Sequence, residues 1–124
     1  MPLVKCVARR GKPFRIPAPA ARFLFCNGMT LRQRMASLRR MCPESPKVIV
    51  DKPDHSGMPH DVPLTWIMTL RDRAVSPRQQ QACMQALGGA NTLLMIDTCH
   101  NVMFSEPARL AAMLIERCRP RSWH

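Results

Sequence analysis

Two apolar, strand-like segments enclose one capped helix, and this order restricts the fold of the 124-residue chain more than any other feature. Segments 64–70 and 92–96 are apolar with little alternation, which is typical of strands buried on both faces of a parallel sheet. Between them, residues 76–79 (Ser-Pro-Arg-Gln) form a capping-box pattern, and Gly88–Gly89 can supply a left-handed C-cap at about Leu87. A strand, a helix and a parallel strand make a right-handed crossover unit, so we predict an α/β protein.

A second capping-box pattern precedes this unit. Thr30 with Gln33 predicts a helix over about residues 30–42, ended by the prolines that follow. The apolar residues on one face of this helix, which we expect to be its buried face, are Leu31, Met35, Leu38 and Cys42.

A last helix is predicted from Glu106 or Pro107 to about Cys118, with Ser105 as its N-cap. Its apolar stripe consists of Leu110, Leu114 and Cys118, flanked by Ala111 and Ile115.

The N-terminal half has a weaker pattern. Residues 1–22 carry four prolines and no clear period, so we expect this stretch to be mostly irregular. The β-branched run Val48-Ile49-Val50 predicts a short edge strand. We therefore divide the chain into a basic, Pro-rich segment with one helix (1–61), an α/β portion (62–119) and a frayed tail (120–124).

Basic residues are concentrated near the N-terminus. Residues 1–47 contain eleven Lys or Arg and one acid, whereas residues 48–124 contain eight against seven acids. Such a segment can bind phosphate or nucleic acid. Because aromatic residues do not alternate with the arginines, no base-stacking surface is indicated, and a solvated Arg-rich surface is the interpretation we favour. We expect no nucleic-acid partner.

The six cysteines form no CxxC pair, and the histidines do not complete a zinc spacing, so we expect no metal and no cofactor. No signal peptide is visible, which predicts a cytoplasmic protein whose thiols are free and mostly buried. No apolar run approaches the ~20 residues that a membrane span needs, so we expect no membrane partner.

Each predicted strand is followed by a residue able to do acid–base chemistry. Asp72 comes two positions after the first strand segment, and His100 comes four positions after the second. Because the carboxyl ends of parallel strands meet at one edge of a sheet, we expect these two side chains to lie close together. An Asp in that position fixes the tautomer of the His and stabilises the imidazolium that forms when the His accepts a proton.

The segment VPLTWIMTLRDRAVSP…ALGG…IDTCHNVMFSEPARLAAMLIERC resembles the C-terminal end of an α/β-hydrolase, over roughly residues 62–118. It is most similar to the branch that includes plant methyl esterases, hydroxynitrile lyases and their bacterial relatives. In that family the catalytic acid follows a T-x-x-D-like turn, matched by Thr69 to Asp72, and the catalytic His precedes an M-x-x-x-P helix start, matched by His100, Met103 and Pro107. The resemblance implies the last two parallel strands of that fold and their helices, preceded by a cap-like helical segment.

The third member of such a triad is absent from the sequence. The family's nucleophile lies in a G-x-S-x-G elbow between a strand and a helix, and no such motif occurs in this chain. Ser56 lies in a polar loop and lacks both the leading Gly and the flanking strand. We therefore assign no nucleophile, and we expect this chain to be a truncated form that is inactive alone.

Simpler explanations exist for each residue taken singly. Asp72 between Arg71 and Arg73 suits a weak surface ion pair, and a single loop His is usually structural or solvated. The joint spacing and strand context favour an acid–base pair instead. Cys99 is expected to be a small buried residue rather than a partner of His100, because adjacent side chains tend to point apart. His55, His60 and Asp61 suit a weak metal site, but turn residues explain them better.

Three hypotheses follow from the sequence. The first is the C-terminal portion of a Ser-His-Asp hydrolase of small esters or amides, with His100 as base and Asp72 as orienting acid. The second is a non-catalytic α/β module that binds a partner or self-associates through an exposed sheet edge. The third is a basic protein that binds anions or nucleic acid.

Overall fold

The computed structural model describes residues 13–54, 56–59 and 61–119. In chain order the elements are α1 (Ala18–Phe25), α2 (Leu31–Arg40), α3 (Lys47–Val50), β1 (Thr65–Thr69), α4 (Pro77–Ala86), β2 (Thr92–Ile96), α5 (Val102–Ser105) and α6 (Pro107–Cys118). Helices and a two-stranded parallel sheet make this a mixed α/β chain, as predicted. The proposed tail, residues 120–124, lies outside the described residues.

The two strands and the helix between them form the crossover unit that the sequence predicts. Strands β1 and β2 pair in parallel, with Thr65 opposite Thr92 and Thr69 opposite Ile96. Helix α4 begins with the predicted capping box, in which Ser76 accepts from the Gln79 backbone N–H and the Gln79 side chain accepts from the Ser76 N–H. Its end is followed by two glycines with φ of +88° and +95°, a backbone region that favours glycine.

Two segments near the N-terminus contain helix where the sequence did not indicate it. Residues 18–22 of the stretch expected to be mostly irregular belong to α1, because Pro17 and Pro19 lie at its N-cap and first turn, where a missing N–H costs no helical hydrogen bond. The expected edge strand over residues 48–50 is the helical turn α3, in which the Asp51 N–H donates to the Lys47 carbonyl. Strand propensity depends on packing against a neighbouring strand, and the described residues provide none there. The described part of segment 1–61 thus holds three helical segments rather than one.

Helix α2 has the predicted Thr30 and Gln33 capping box, but its buried face differs from the expected one. Leu31 is 70% exposed, and Met35 and Cys42 are also exposed. Leu38, the fourth residue of the expected face, is partly buried and packs against an apolar cluster. The opposite face packs on α5, where Gln33 Nε2 donates to the Ser105 carbonyl at 3.0 Å.

Helix α6 begins at Pro107 as predicted, but Ser105 is not its cap. Its N-cap residue is Glu106, with no side-chain cap, and the Ser105 hydroxyl lies 2.5 Å from the hydroxyl of Thr98 instead. The predicted apolar stripe is largely uncovered, since Leu114 and Ile115 are exposed.

A buried apolar cluster lies beside the loop that follows β2. Cys26, Met29 and Cys99 are buried there, with Phe25, Leu38 and Phe104 packed against them. This confirms Cys99 as a small buried residue. The described cysteines are unpaired, as expected, but the prediction that most are buried is wrong, because Cys42, Cys83 and Cys118 lie on exposed surfaces. Within the described ranges, no helix has the length and apolar content to cross a lipid bilayer.

Candidate active site

Asp72 occupies a turn that begins where β1 ends, and its carboxylate is held from several sides. Its side chain is 4% exposed. Oδ1 accepts from the backbone N–H groups of Ala74 and Val75, each at 2.8 Å. Oδ2 accepts from the Thr69 hydroxyl at 3.1 Å. These donors fix the orientation of the carboxylate, and they leave Oδ2 directed toward the loop after β2.

His100 lies in the loop after β2 and faces the Asp72 carboxylate. Its Nδ1 is 2.8 Å from Asp72 Oδ2. Because the carboxylate accepts at each of its contacts, Nδ1 carries the proton of this bond, and Nε2 of the neutral ring keeps its lone pair. The His100 side chain is 37% exposed, so the ring is accessible although its partner is not. The predicted acid and base are therefore brought together.

The sheet itself aligns the two loops. Beyond the last strand pair, the Leu70 N–H donates to the Ile96 carbonyl and the Arg71 N–H to the Thr98 carbonyl, each at 2.9 Å. This extends the parallel ladder up to the two loops, and it fixes the distance between the Asp72 turn and the His100 loop. The surface ion pair suggested for Asp72 is absent: Arg71 pairs with Asp97 at 2.9 Å, and Arg73 lies over the Phe23 ring.

The helical N-terminal segment contributes one wall of the site. The Phe25 ring at the end of α1 lies 5.2 Å from the His100 ring, centroid to centroid, at an interplanar angle of 48°. From α2, the buried Ser37 hydroxyl accepts from Asn101 Nδ2 at 2.9 Å, which secures the residue next to His100. Asn27, between α1 and α2, donates to the Arg71 carbonyl at 2.8 Å and so ties this segment to the acid-bearing turn.

An open cavity of about 360 Å³ lies beside His100. Aromatic and aliphatic side chains form most of its wall, including Phe14, Phe25, Met103 and Phe104. Asn101 and Arg40 add polar groups. The cavity can hold a small, mostly apolar group next to the imidazole.

Sequence reasoning missed Gln80, which is buried in α4 and hydrogen-bonded to the end of β1. It also missed Phe25 and Ser37. No local pattern identifies these residues, because the partners that define their roles, Thr69, Asn101 and His100, lie 11, 64 and 75 positions away in the chain.

The remaining candidates give no site among the described residues. Ser56 donates its N–H to Asp54 Oδ1 at 2.9 Å in an exposed turn. His55 and His60, from the weak metal-site suggestion, lie outside the described residues. Across the parts of the chain that the structure describes, no group of three or more His, Cys, Asp or Glu side chains is arranged to hold a metal ion.

Comparison of the chain with profiles of known protein families, with curated proteins and with solved structures finds no significant match.

Proposed function

We propose that Asp72 and His100 are the acid and the general base of a Ser-dependent hydrolase of small esters or amides, on an α/β-hydrolase fold. In this proposal the chain supplies the acid–base half of the site, preceded by a cap-like helical segment. The observation that carries it is the 2.8 Å bond between His100 Nδ1 and a carboxylate that is 4% exposed. An exposed ion pair contributes little and needs no such arrangement, whereas a buried acid that orients an accessible imidazole is the geometry of a triad.

The roles follow from where the protons are. With Nδ1 protonated and bonded to Asp72, the Nε2 lone pair of His100 can accept the hydroxyl proton of a serine nucleophile. The ring then becomes an imidazolium, which the Asp72 carboxylate stabilises without taking the proton. Nε2 then gives this proton to the alcohol or amine that leaves the substrate. The nucleophile belongs to a segment with a G-x-S-x-G elbow, and the chain contains no such motif.

The size and the lining of the cavity favour a substrate with a small, apolar acyl or alcohol group. Its volume of about 360 Å³ is at the lower end of the range for ligand pockets, and its wall is mainly aromatic and aliphatic.

Uncovered apolar surface supports the view that another segment packs against this half. Leu93 and Met95 alternate on one face of β2, and both are exposed. The exposed Leu114 and Ile115 of α6 add a second apolar area. Parallel sheets are normally covered on both faces. The alternative is that a second copy of the chain covers these surfaces by associating through the open sheet edge. The cytoplasmic location and the absence of a nucleic-acid partner stay predictions.

The test is an ester-hydrolysis assay on two proteins. The chain alone is expected to hydrolyse p-nitrophenyl acetate no faster than buffer does. The chain joined after the nucleophile-bearing half of an α/β-hydrolase is expected to gain an activity that His100→Ala lowers to a small residual level. A folded fusion without activity, or an activity that His100→Ala leaves unchanged, would contradict the proposal. Activity of the chain alone that His100→Ala removes would instead show that the site is complete without an added segment.

A further inference from the structure

A buried glutamine on α4 contacts the end of β1 with every polar atom of its side chain. Gln80 is 6% exposed. Its Oε1 accepts from the Thr69 N–H at 3.1 Å. Its Nε2 lies 3.0 Å from the Thr69 carbonyl, 3.1 Å from the Thr69 hydroxyl and 2.8 Å from the Val75 carbonyl. The side chain therefore bridges the last residue of the strand and the far end of the turn that holds Asp72.

The direction of these hydrogen bonds is fixed by chemistry. A backbone N–H can only donate and a backbone carbonyl can only accept, so Oε1 must face the Thr69 N–H and Nε2 must face the two carbonyls. The amide nitrogen has no lone pair to offer, and the Thr69 hydroxyl cannot donate to it. Its two N–H groups meet three acceptors, so the N–H that faces Thr69 is shared between the Thr69 carbonyl and the Thr69 hydroxyl. The acceptor that the described structure offers to this hydroxyl is Asp72 Oδ2, at 3.1 Å.

We infer that Gln80 is a positioning residue for the acid–base pair, acting through the Thr69 hydroxyl. The chain of donors runs from Gln80 Nε2 to Thr69 Oγ1 and from Thr69 Oγ1 to Asp72 Oδ2, the oxygen that also accepts from His100 Nδ1. Gln80 directs the hydroxyl proton toward the carboxylate, and the carboxylate is thereby held where it meets the imidazole. This inference rests on the proposed function for its catalytic meaning, but the geometry can be tested without any activity.

Gln80 also sets the shape of the turn. The Val75 carbonyl accepts from Gln80 Nε2, while the Val75 N–H donates to Asp72 Oδ1. One peptide segment is thus held by Gln80 from one side and by Asp72 from the other. Buried networks of this kind are rigid only when every member is satisfied, so loss of the amide loosens the turn and the carboxylate together.

The experiment measures how fast the His100 Nδ1–H proton exchanges with water, in the full chain labelled with ¹⁵N-histidine. The chain has four histidines, and the signal missing from a His100→Gln variant identifies the one of interest. In the wild type, the Nδ1–H proton is expected to be visible and to exchange slowly with water. Gln80→Met keeps the side-chain length and removes the amide. We expect exchange to become about tenfold faster, the effect of losing roughly one hydrogen bond in a network that includes a charged group.

Three further variants separate positioning from general structure. Gln81→Met makes the same change at an exposed position of the same helix and should leave the exchange rate within about twofold of the wild type. Thr69→Val removes the hydroxyl but keeps the β-branched shape, and it should match Gln80→Met. Thr69→Ser retains the hydroxyl and should restore slow exchange. Circular dichroism confirms that each variant is folded.

The outcomes distinguish failure of the role inferred for Gln80 from failure of the proposed function. If Gln80→Met and Thr69→Val are folded and either one exchanges as slowly as the wild type, the route through the hydroxyl is wrong. If Gln80→Met does not fold, the Thr69 pair decides, because slow exchange in Thr69→Val overturns the inference by itself. If the wild type shows no slowly exchanging His100 Nδ1–H, the bond to Asp72 is absent and the proposed function loses its basis.

Discussion

Replacing Asp72 in two ways separates its two structural roles. Asp72→Asn keeps an oxygen that can accept from the Ala74 and Val75 N–H groups, but it places an NH₂ where Oδ2 accepts from Thr69 and His100. Asp72→Ala removes all of these acceptors. The Asn variant therefore measures how much the bonds of Oδ2 to Thr69 and His100 stabilise the protein. The Ala variant also removes the bonds between Oδ1 and the backbone of the turn.

The expected magnitudes follow from burial. Hydrogen bonds to a charged group contribute about 1.5–3 kcal/mol, so Asp72→Asn should lower the free energy of unfolding by about 2 kcal/mol. Asp72→Ala also leaves the Ala74 and Val75 N–H groups without their acceptor, which costs about 1–3 kcal/mol more, so it should lower the free energy of unfolding by about 4 kcal/mol in all. With a urea m-value of roughly 2 kcal/mol/M, the midpoints should fall by about 1 M and about 2 M.

The assay is urea unfolding followed by far-ultraviolet circular dichroism, with the wild type measured in parallel. Two results would contradict these roles of the carboxylate. If Asp72→Asn unfolds at the wild-type midpoint, Oδ2 makes no stabilising bond to Thr69 and His100. If the Asn and Ala variants have equal midpoints, the backbone N–H groups that meet Oδ1 do not stabilise the turn.

Three further predictions concern the elements that hold the site, each measured by the same unfolding assay. Thr30→Ala removes the α2 capping box and should cost about 1 kcal/mol; no change would show that the cap is not formed. Gly88→Ala introduces a Cβ at φ of +88° and should cost about 1 kcal/mol, whereas Gly57→Ala, in open space without positive φ, should cost less; equal effects would contradict the turn geometry. Ile96→Ala, at a fully buried strand position, should cost about 2–5 kcal/mol, against about 0.5 kcal/mol or less for Ile115→Ala on the exposed face of α6; a reversed order would contradict the packing.

The parts of the fold that the sequence predicts depend on neighbours in the chain. Capping boxes connect residues three apart, and both predicted boxes are present, at Thr30 and at Ser76. The parallel pairing of β1 and β2 follows from two apolar runs joined by one helix. The positions of Asp72 and His100 could be predicted because parallel strands end at one edge.

The parts that the sequence does not predict depend on contacts between distant residues. Gln80 resembles its exposed neighbour Gln81 in the sequence, and only the approach of α4 to the end of β1 distinguishes them. Likewise, apolar periodicity identifies Leu31 as core-facing in α2, yet the covered face is the one bonded to α5 through Gln33. A periodic pattern identifies an apolar face, but it does not say whether anything covers that face.

Whether Asp72 acts through His100 can be measured with a double variant of the fusion protein. Asp72→Asn alone should lower kcat for p-nitrophenyl acetate by about 10⁴-fold, by analogy with the measured effect in a serine-protease triad. Added to His100→Ala, it should lower kcat no further, because members of one catalytic unit are not additive. If Asp72→Asn lowers kcat of the His100→Ala protein by the same factor as in the wild type, the two residues act independently and the acid–base pair is not a catalytic unit.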